Sequence, residues 1–449
     1  MKPLFVISCP IDTYSGYGAR SRDLVKAIIN QDKYDVRIAP QRWGSTPWGF
    51  IDDHKEQWGF LTPYILNTHE VERQPEIWMQ ITVPNEFQPM GKFNIGVTAG
   101  IETTICDPSW IEGVNRMNLT LVSSNHAKNV FESTMYEQRD KNTNQVVGQV
   151  KVNKPIEVLY EGANLDVYKH ISEEDYTSQI TKLDQIQEDF CYLTVGHWIQ
   201  GDVGEDRKNI GLTVKAFYET FKNKKNKPAL ILKTSSAGAS YADRDNILNK
   251  LYQIRKSVNS QDLPSVYLLH GEFSDHEMNN IYNHPKIKAL VSLTKGEGFG
   301  RPLLEFSLTK KPIVATNWSG HIDFLDAEHT TLLGGELKQV HPSAAVPNVI
   351  LQDSLWFAVD TGQVGHFLTD MFNNYSKYLP KAKRQYHKSK TKFSFEAMQT
   401  DLGYILDRSI PEFPKQVQLN LPQLKKIELP KLKKIELPKL KKAESDANG

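Results

Sequence analysis

The chain has 449 residues, with 54 Lys+Arg against 53 Asp+Glu, a formal net charge of +1 and a hydrophobic fraction of 39%. That length holds two or three domains, and the balance excludes a strongly basic nucleic-acid binder when the chain is taken as a whole. No apolar run approaches the roughly 18 residues of a membrane span, and the start MKPLFVISCPIDTYSG reads as a strand instead of a signal peptide, so a cytoplasmic protein is expected. Cys9, Cys106 and Cys191 are too few and too scattered for a disulfide framework or a zinc cluster, and read as small core residues.

Short apolar, β-branched runs alternate with amphipathic stretches of helical length, the pattern of βαβ units and parallel sheets. A strand is expected at 4–9, a loop at 10–18 and a helix at 19–29. Further strands are expected at 77–83, 94–98, 119–122 and 156–159, with a helix at 127–135. Residues 166–188 are polar and read as a connection between domains plus a helical turn. A second series then begins, with strands at 191–195, 229–233, 266–269, 289–292 and 312–315. Helices separate them at 211–221, 242–258, 275–283 and 302–309. Two successive βα series predict an α/β protein with two Rossmann-like domains facing across a cleft, and a ligand outside the carboxyl ends of the strands. The expected division is 1–175 and 176–385 for the two domains, 386–410 for a helix packing back on the body, and 411–449 for a tail.

The tail holds nine Lys and five acidic residues, a net of +4, which leaves −3 for residues 1–410. It contains three copies of an octapeptide, LPQLKKIE at 421–428, LPKLKKIE at 429–436 and LPKLKKAE at 437–444. A proline every eighth residue breaks a helix and removes ladder donors from a strand, so an extended appendage is expected.

The stretch KGEGFGRPLLE at 295–305 carries the most chemistry. It follows a strand, and its glycines allow backbone N–H groups to approach a ligand closely. Pro302 suits the first helical position. A strand, a glycine loop and a helix start make a site for phosphates and sugar hydroxyls. Glu297 and Glu305 bracket the turn, and a carboxylate can accept from vicinal hydroxyls, so the two can hold two polyols on either side of a diphosphate. Arg207 and Lys208, within EDRKN at 205–209, and Lys233 at the end of a strand would bring cations to the same cleft. NWSGH at 317–321 is a second glycine turn after a strand.

On these residues the second half resembles the retaining GT-B glycosyltransferases of the family 4 type (glycosyl transferases group 1). The E-x7-E spacing of Glu297 and Glu305 matches, as do, in order, VGHW at 195–198, RKN at 207–209, HGEFSDHEM at 270–278 and PIVATNWSGH at 312–321. The first half resembles the family through SGYG at 15–18, SSNHAKNVF at 123–131 and EGANLDVY at 161–168. The resemblance spans roughly residues 1–405. It implies a GT-B architecture and sugar transfer from a nucleoside-diphosphate-sugar, a UDP-sugar above all, with no other cofactor and no metal. Glu305 would bind the donor ribose. Glu297 and the backbone of Gly298, Phe299 and Gly300 would bind the transferred sugar. Lys208 would hold the diphosphate, and Gly16 and Gly18 would let the first-domain loop approach the donor or acceptor. The family usually has an Arg where this chain has His197, and Arg207 is the candidate to supply that charge. The family often presents a His after the strand at 94–98, where this chain reads AGIETTIC and offers Glu102.

Asp243-Arg244-Asp245 is a D-x-D, but it opens an expected helix, where acids favour the dipole. His270, His321 and His329 lack metal-ligand spacing, and His321 is expected to hydrogen-bond near the donor or cap a helix. The aromatic stretch 43–60 can stack on a sugar or base, or anchor a loop. Residues 75–105 also resemble glycosyltransferase-like proteins of tailed bacteriophages, some of which glycosylate hydroxymethylated pyrimidines in DNA. The expected acceptor is therefore a carbohydrate or such DNA, to which the basic tail would suit, and the compartment in the latter case is the host cytoplasm. Two alternatives are a nucleotide-sugar-binding protein without turnover and a docking protein acting through its repeat tail.

Overall fold

The first strand shows why the chain builds a parallel sheet: β1 (Leu4–Cys9, LFVISC) is buried at every position, as a strand covered on both faces must be. The computed structural model describes residues 2–68, 71, 73–140, 142–236 and 238–414. The octapeptide repeats lie outside the described residues. Helix α1 (Gly16–Asn30) follows β1 and is capped by Ser15, whose side chain accepts from the Gly18 N–H. The expected loop therefore ends earlier, and SGYG forms a cap and first turn instead of a glycine loop.

Strand β2 (Asp35–Pro40) is followed by the one-turn helices α2 (Phe50–Asp53) and α3 (Lys55–Trp58), which take up Phe50 and Trp58 of the aromatic stretch. Then come β3 (Ile77–Ile81), β4 (Phe93–Thr98), α4 (Pro108–Arg116), β5 (Leu119–Val122) and α5 (Asn125–Ser133). Asp107 caps α4 ahead of Pro108, and Ser124 caps α5. An exposed antiparallel hairpin, β6 (Met135–Arg139) and β7 (Val146–Lys151), precedes β8 (Ile156–Val158). The first sheet runs β2-β1-β3-β4-β5-β8, with every pairing parallel.

A connection containing the turn α6 (Thr181–Asp184) leads to β9 (Cys191–Val195), α7 (Ile210–Phe221), β10 (Ala229–Lys233), α8 (Tyr241–Ser257), β11 (Val266–Leu269) and α9 (Asp275–Asn283). Ser274 and Glu277 close α9 with a capping box. The Asn279, Asn280 and Asn283 side chains on α9 accept from backbone N–H groups of Lys169, Gln179 and Ile171, and so pin the connection. Then follow β12 (Ile287–Ser292), α10 (Arg301–Ser307), β13 (Ile313–Thr316) and β14 (Thr331–Leu333). This sheet runs β11-β10-β9-β12-β13-β14, also all parallel. Apolar clusters cover both of its faces.

An insertion, β15 (Gly335–Gln339) paired with β16 (Leu355–Val359), forms a small core of its own around Trp356. Three helices end the described chain: α11 (Thr361–Asn373), α12 (Leu379–Lys392) and α13 (Phe395–Ser409). Helix α13 returns to the first half, where Lys33 pairs with Asp407 at 2.5 Å and the Ala163 carbonyl accepts from the Phe395 N–H. Met1–Pro411 form one compact unit. Among the described residues no helix is long and apolar enough to cross a membrane.

Candidate functional site

The order of each sheet reverses once, between β1 and β3 in the first and between β9 and β12 in the second, and such switch points open a crevice at the carboxyl ends of the strands. Loops from both crevices line one cavity of about 460 Å³. The second sheet contributes Gly196 and His197 after β9, Lys233 at the end of β10, Arg207 and Lys208 before α7, and Glu297 to Pro302 with Glu305 after β12. The first sheet contributes Gly16, Tyr17 and Arg20 from α1, and Thr98 to Glu102 in part, after β4.

Glu297 is 6% exposed, and Lys208 Nζ sits 2.6 and 2.7 Å from its two oxygens. Arg207 Nη1 lies 3.9 Å from Glu297 and 3.4 Å from Glu102, so one guanidinium bridges a carboxylate from each half. Burial alone would raise the Glu297 pKa, but Lys208 and Arg207 outweigh it and hold the carboxyl at about 2. His197 goes the other way: burial, then Lys233, Lys208 and Arg207, lower its pKa and favour the neutral ring. The cations expected to meet a diphosphate are thus present, already shared with Glu297.

Glu305 is equally buried, yet its pKa is pushed up to about 7, by burial first, with Asp275 adding to it and Arg301 opposing. Arg301 Nε donates to Glu305 Oε1 at 3.0 Å, and Tyr282 donates to Oε2 at 3.1 Å. The same guanidinium reaches Asp23 on α1 at 2.7 Å and Glu161 at 3.5 Å. Arg20, buried beside them, donates to the Leu159 and Tyr160 carbonyls. Arg301 therefore joins the second half's Glu305 to two acids of the first half. Its i,i+4 spacing to Glu305 was the one local sign of this role.

The glycines act mainly in packing. A Cβ on Gly296 would come 2.0 Å from the Glu102 carbonyl oxygen, and one on Gly298 2.5 Å from that of Ala99. The Gly298 carbonyl accepts from Ser123 Oγ at 3.1 Å. Gly300 caps α10 at φ 97°, in the left-handed region, with no side-chain cap; Pro302 has no N–H, and the Leu303 and Leu304 N–H groups donate to the Gly300 carbonyl. The helix begins one residue before Pro302. Phe299 touches the cavity but is 3% exposed and packs on Phe324 at 4.9 Å between ring centroids.

Every candidate residue lines the cavity except Gly18. Gly18 is in the first turn of α1, and a Cβ there would meet the Thr13 carbonyl oxygen at 2.4 Å, so it packs against its own loop and cannot approach a ligand. His321 is buried outside the lining, with Nε2 2.6 Å from the Thr316 carbonyl. Asp243 sits in the first turn of α8, but Ser240 is the cap; the Asp243 carboxylate accepts from the Ser236 N–H and contacts His270 Nε2 at 2.8 Å. Among the described residues no group of three His, Cys, Asp or Glu is placed to hold a metal ion. Besides Arg301, Arg20 and Glu161, the sequence reading left Tyr17 unassigned. Its ring stacks on Trp43 at 3.9 Å, and its hydroxyl is tied to Thr98 and the Ala99 N–H.

No family model matches the chain, and no curated protein matches it in sequence. Solved structures do match. HepE from Anabaena, in complex with UDP and glucose, aligns with a TM-score of 0.57 at 11% identity, over 90% of this chain and 100% of that one. Sucrose-phosphate synthase from Thermosynechococcus elongatus aligns at 0.58 and 12%, over 91% and 99%. A glycosyltransferase from Rickettsia africae aligns at 0.59 and 12%, over 91% and 98%. The chain therefore has the GT-B fold of these glycosyltransferases: two Rossmann-like parallel sheets with one cavity at their carboxyl ends.

Proposed function

We propose that the protein is a glycosyltransferase of the family 4 type that moves a sugar from a UDP-sugar to an acceptor hydroxyl with retention of configuration. The observation that supports it most is the convergence of Glu297, Glu305, Arg207 and Lys208 on one cavity of a GT-B fold. HepE, which shares this fold, binds UDP-glucose, and the cavity here offers matching chemistry. Glu305 accepts the ribose hydroxyls. Glu297 accepts hydroxyls of the transferred sugar while ordering Lys208 and Arg207. These cations and Lys233 meet the diphosphate and stabilise its departure.

No side chain is assigned as a nucleophile. In front-face displacement the bond from the anomeric carbon to the diphosphate oxygen breaks as the acceptor oxygen bonds the same face. The acceptor proton passes to the departing phosphate oxygen. The protein's share is orientation and charge stabilisation. Arg207, bridging Glu102 and Glu297, would tie the acceptor side to the sugar, with Tyr17 and Trp43 as an aromatic wall for the acceptor. The acceptor is a carbohydrate or a hydroxymethylated pyrimidine of DNA.

The test is hydrolysis and transfer from a set of nucleotide sugars, with oligosaccharides and hydroxymethylated DNA as acceptors. UDP-sugar turnover supports the reading. Binding of UDP-sugars without any turnover would favour a non-catalytic binder, and no binding would refute both. Because side-chain cations are proposed to serve the diphosphate, transfer should survive EDTA. Loss in EDTA with rescue by Mn²⁺ would overturn that part.

A further inference from the structure

We propose that α12 is a docking surface for the phosphate backbone of nucleic acid, a role that does not depend on the glycosyltransferase reading. The near-neutral whole chain conceals a strong local asymmetry. Helix α12 (LPKAKRQYHKSKTK) carries Lys381, Lys383, Arg384, Lys388, Lys390 and Lys392 and no acidic residue. Among the described residues only Lys388 of these six makes an ion pair, with Asp326 at 3.4 Å.

Helix stability does not explain this charge. Lys390 and Lys392 in the last turn suit the dipole, but Lys381 and Lys383 lie near the amino end, where cations are disfavoured and acids are absent. Arg384 and Lys388, and again Lys388 and Lys392, are like charges at i,i+4, which weaken a helix. Nor does packing explain it. The buried stripe is Ala382, Gln385 and Ser389, tied to the body by Gln385 Nε2 to the Phe324 carbonyl at 2.8 Å and Ser389 to Ser307 at 2.7 Å.

The remaining surface of the helix, an arc of roughly 200°, is where the cations stand. They continue off the helix: Lys310 and Lys390 flank the Tyr386 ring, and Lys383 shares a cavity of about 310 Å³ with Lys310, Lys311, His170 and Lys288, the last paired with Glu173 of the same cavity at 3.7 Å. A convex, charged half-cylinder matches a groove walled by phosphates better than a flat bilayer surface. The outward face also lacks the row of large apolar side chains that an interfacial helix inserts; Leu379, at its first position, is the one exposed large apolar residue. From Lys381 to Lys392 the helix runs about 16 Å, which along the duplex axis spans about five phosphates of one strand.

The test uses the full-length protein and a 30-base-pair duplex, read by fluorescence anisotropy across a salt series. The variant K381Q/K383Q/K390Q/K392Q should bind at least tenfold more weakly at low salt. Its plot of log affinity against log salt should be shallower by about three. A control, K222Q/K224Q/K225Q/K227Q, removes as many lysines elsewhere and should change affinity less than twofold. Both variants should keep the wild-type melting temperature and UDP affinity. The proposal is overturned if the wild type does not bind the duplex, or if the α12 variant binds like the wild type. It is also overturned if phosphatidylserine vesicles bind the wild type more tightly than the duplex does and release the α12 variant.

Discussion

Glu297 and Glu305 are both about 6% exposed, yet their environments drive them apart. Two cations hold Glu297 ionised, whereas burial holds much of Glu305 protonated near neutrality. Removing Glu297 leaves Lys208 buried without its carboxylate, while Arg207 keeps Glu102, so Glu297→Ala should cost about 3–5 kcal/mol of stability. UDP, which carries no sugar to lose, should bind it no less tightly, while kcat falls. Calorimetry together with a denaturant titration checks both. Glu305 couples stability to pH. Its folded pKa of about 7 exceeds the ordinary 4.5, so between those values the folded state holds a proton that the unfolded state has released. Stability should therefore fall as pH rises through that window. Glu305→Gln should flatten the fall in melting temperature between pH 5 and 8, and an unchanged slope would show that burial, Arg301, Asp275 and Tyr282 do not set this carboxyl as described. UDP affinity should rise over the same window, because the ribose prefers the ionised acceptor.

Between elements, the two halves meet through backbone contact and two shared guanidiniums, those of Arg207 and Arg301. The Glu102 carbonyl occupies the space of a Gly296 side chain. Thr104 exchanges two hydrogen bonds with Leu355 of the β16 hairpin, at 3.0 and 2.9 Å. Asp23 lies outside the cavity but holds Arg301, which holds Glu305. Asp23→Asn should weaken UDP binding several-fold, and the loss should vanish in an Arg301→Gln background. Additive losses in that double-mutant cycle would contradict the relay.

Much of this architecture was legible in the sequence. The strands at Leu4–Cys9, Leu119–Val122, Cys191–Val195 and Ala229–Lys233 and the helix Asp275–Asn283 fall where apolar runs and caps place them. β2 (DVRIAP) was missed because it is an edge strand with alternating burial and two charges. The β6–β7 hairpin was missed because it is largely exposed and so leaves no apolar pattern. In the site, Glu297, Glu305 and the cations announced themselves through local motifs. Arg301's partners did not, since Asp23 and Glu161 are 278 and 140 residues away in the chain.

For the whole molecule, charge is segregated: near-neutral overall, yet basic on α12 and over residues 411–449. The described fold is complete without the repeats, because α13 already returns the chain to α1. Truncation after Ser409 should keep melting temperature and UDP affinity and weaken only binding to large anionic ligands. A drop of more than a few degrees in melting temperature would give the tail a structural role. The cleft is proposed to hold a nucleoside-diphosphate-sugar between two glutamates of distinct duty. Calorimetric titration of UDP into the wild type, Glu305→Ala and Glu297→Ala tests it most directly. A charge-assisted hydrogen bond is worth about 1.5–3 kcal/mol, so UDP should bind measurably, about tenfold to hundredfold more weakly in Glu305→Ala and no more weakly in Glu297→Ala. Equal losses in the two variants, or no UDP binding by the wild type, would contradict it.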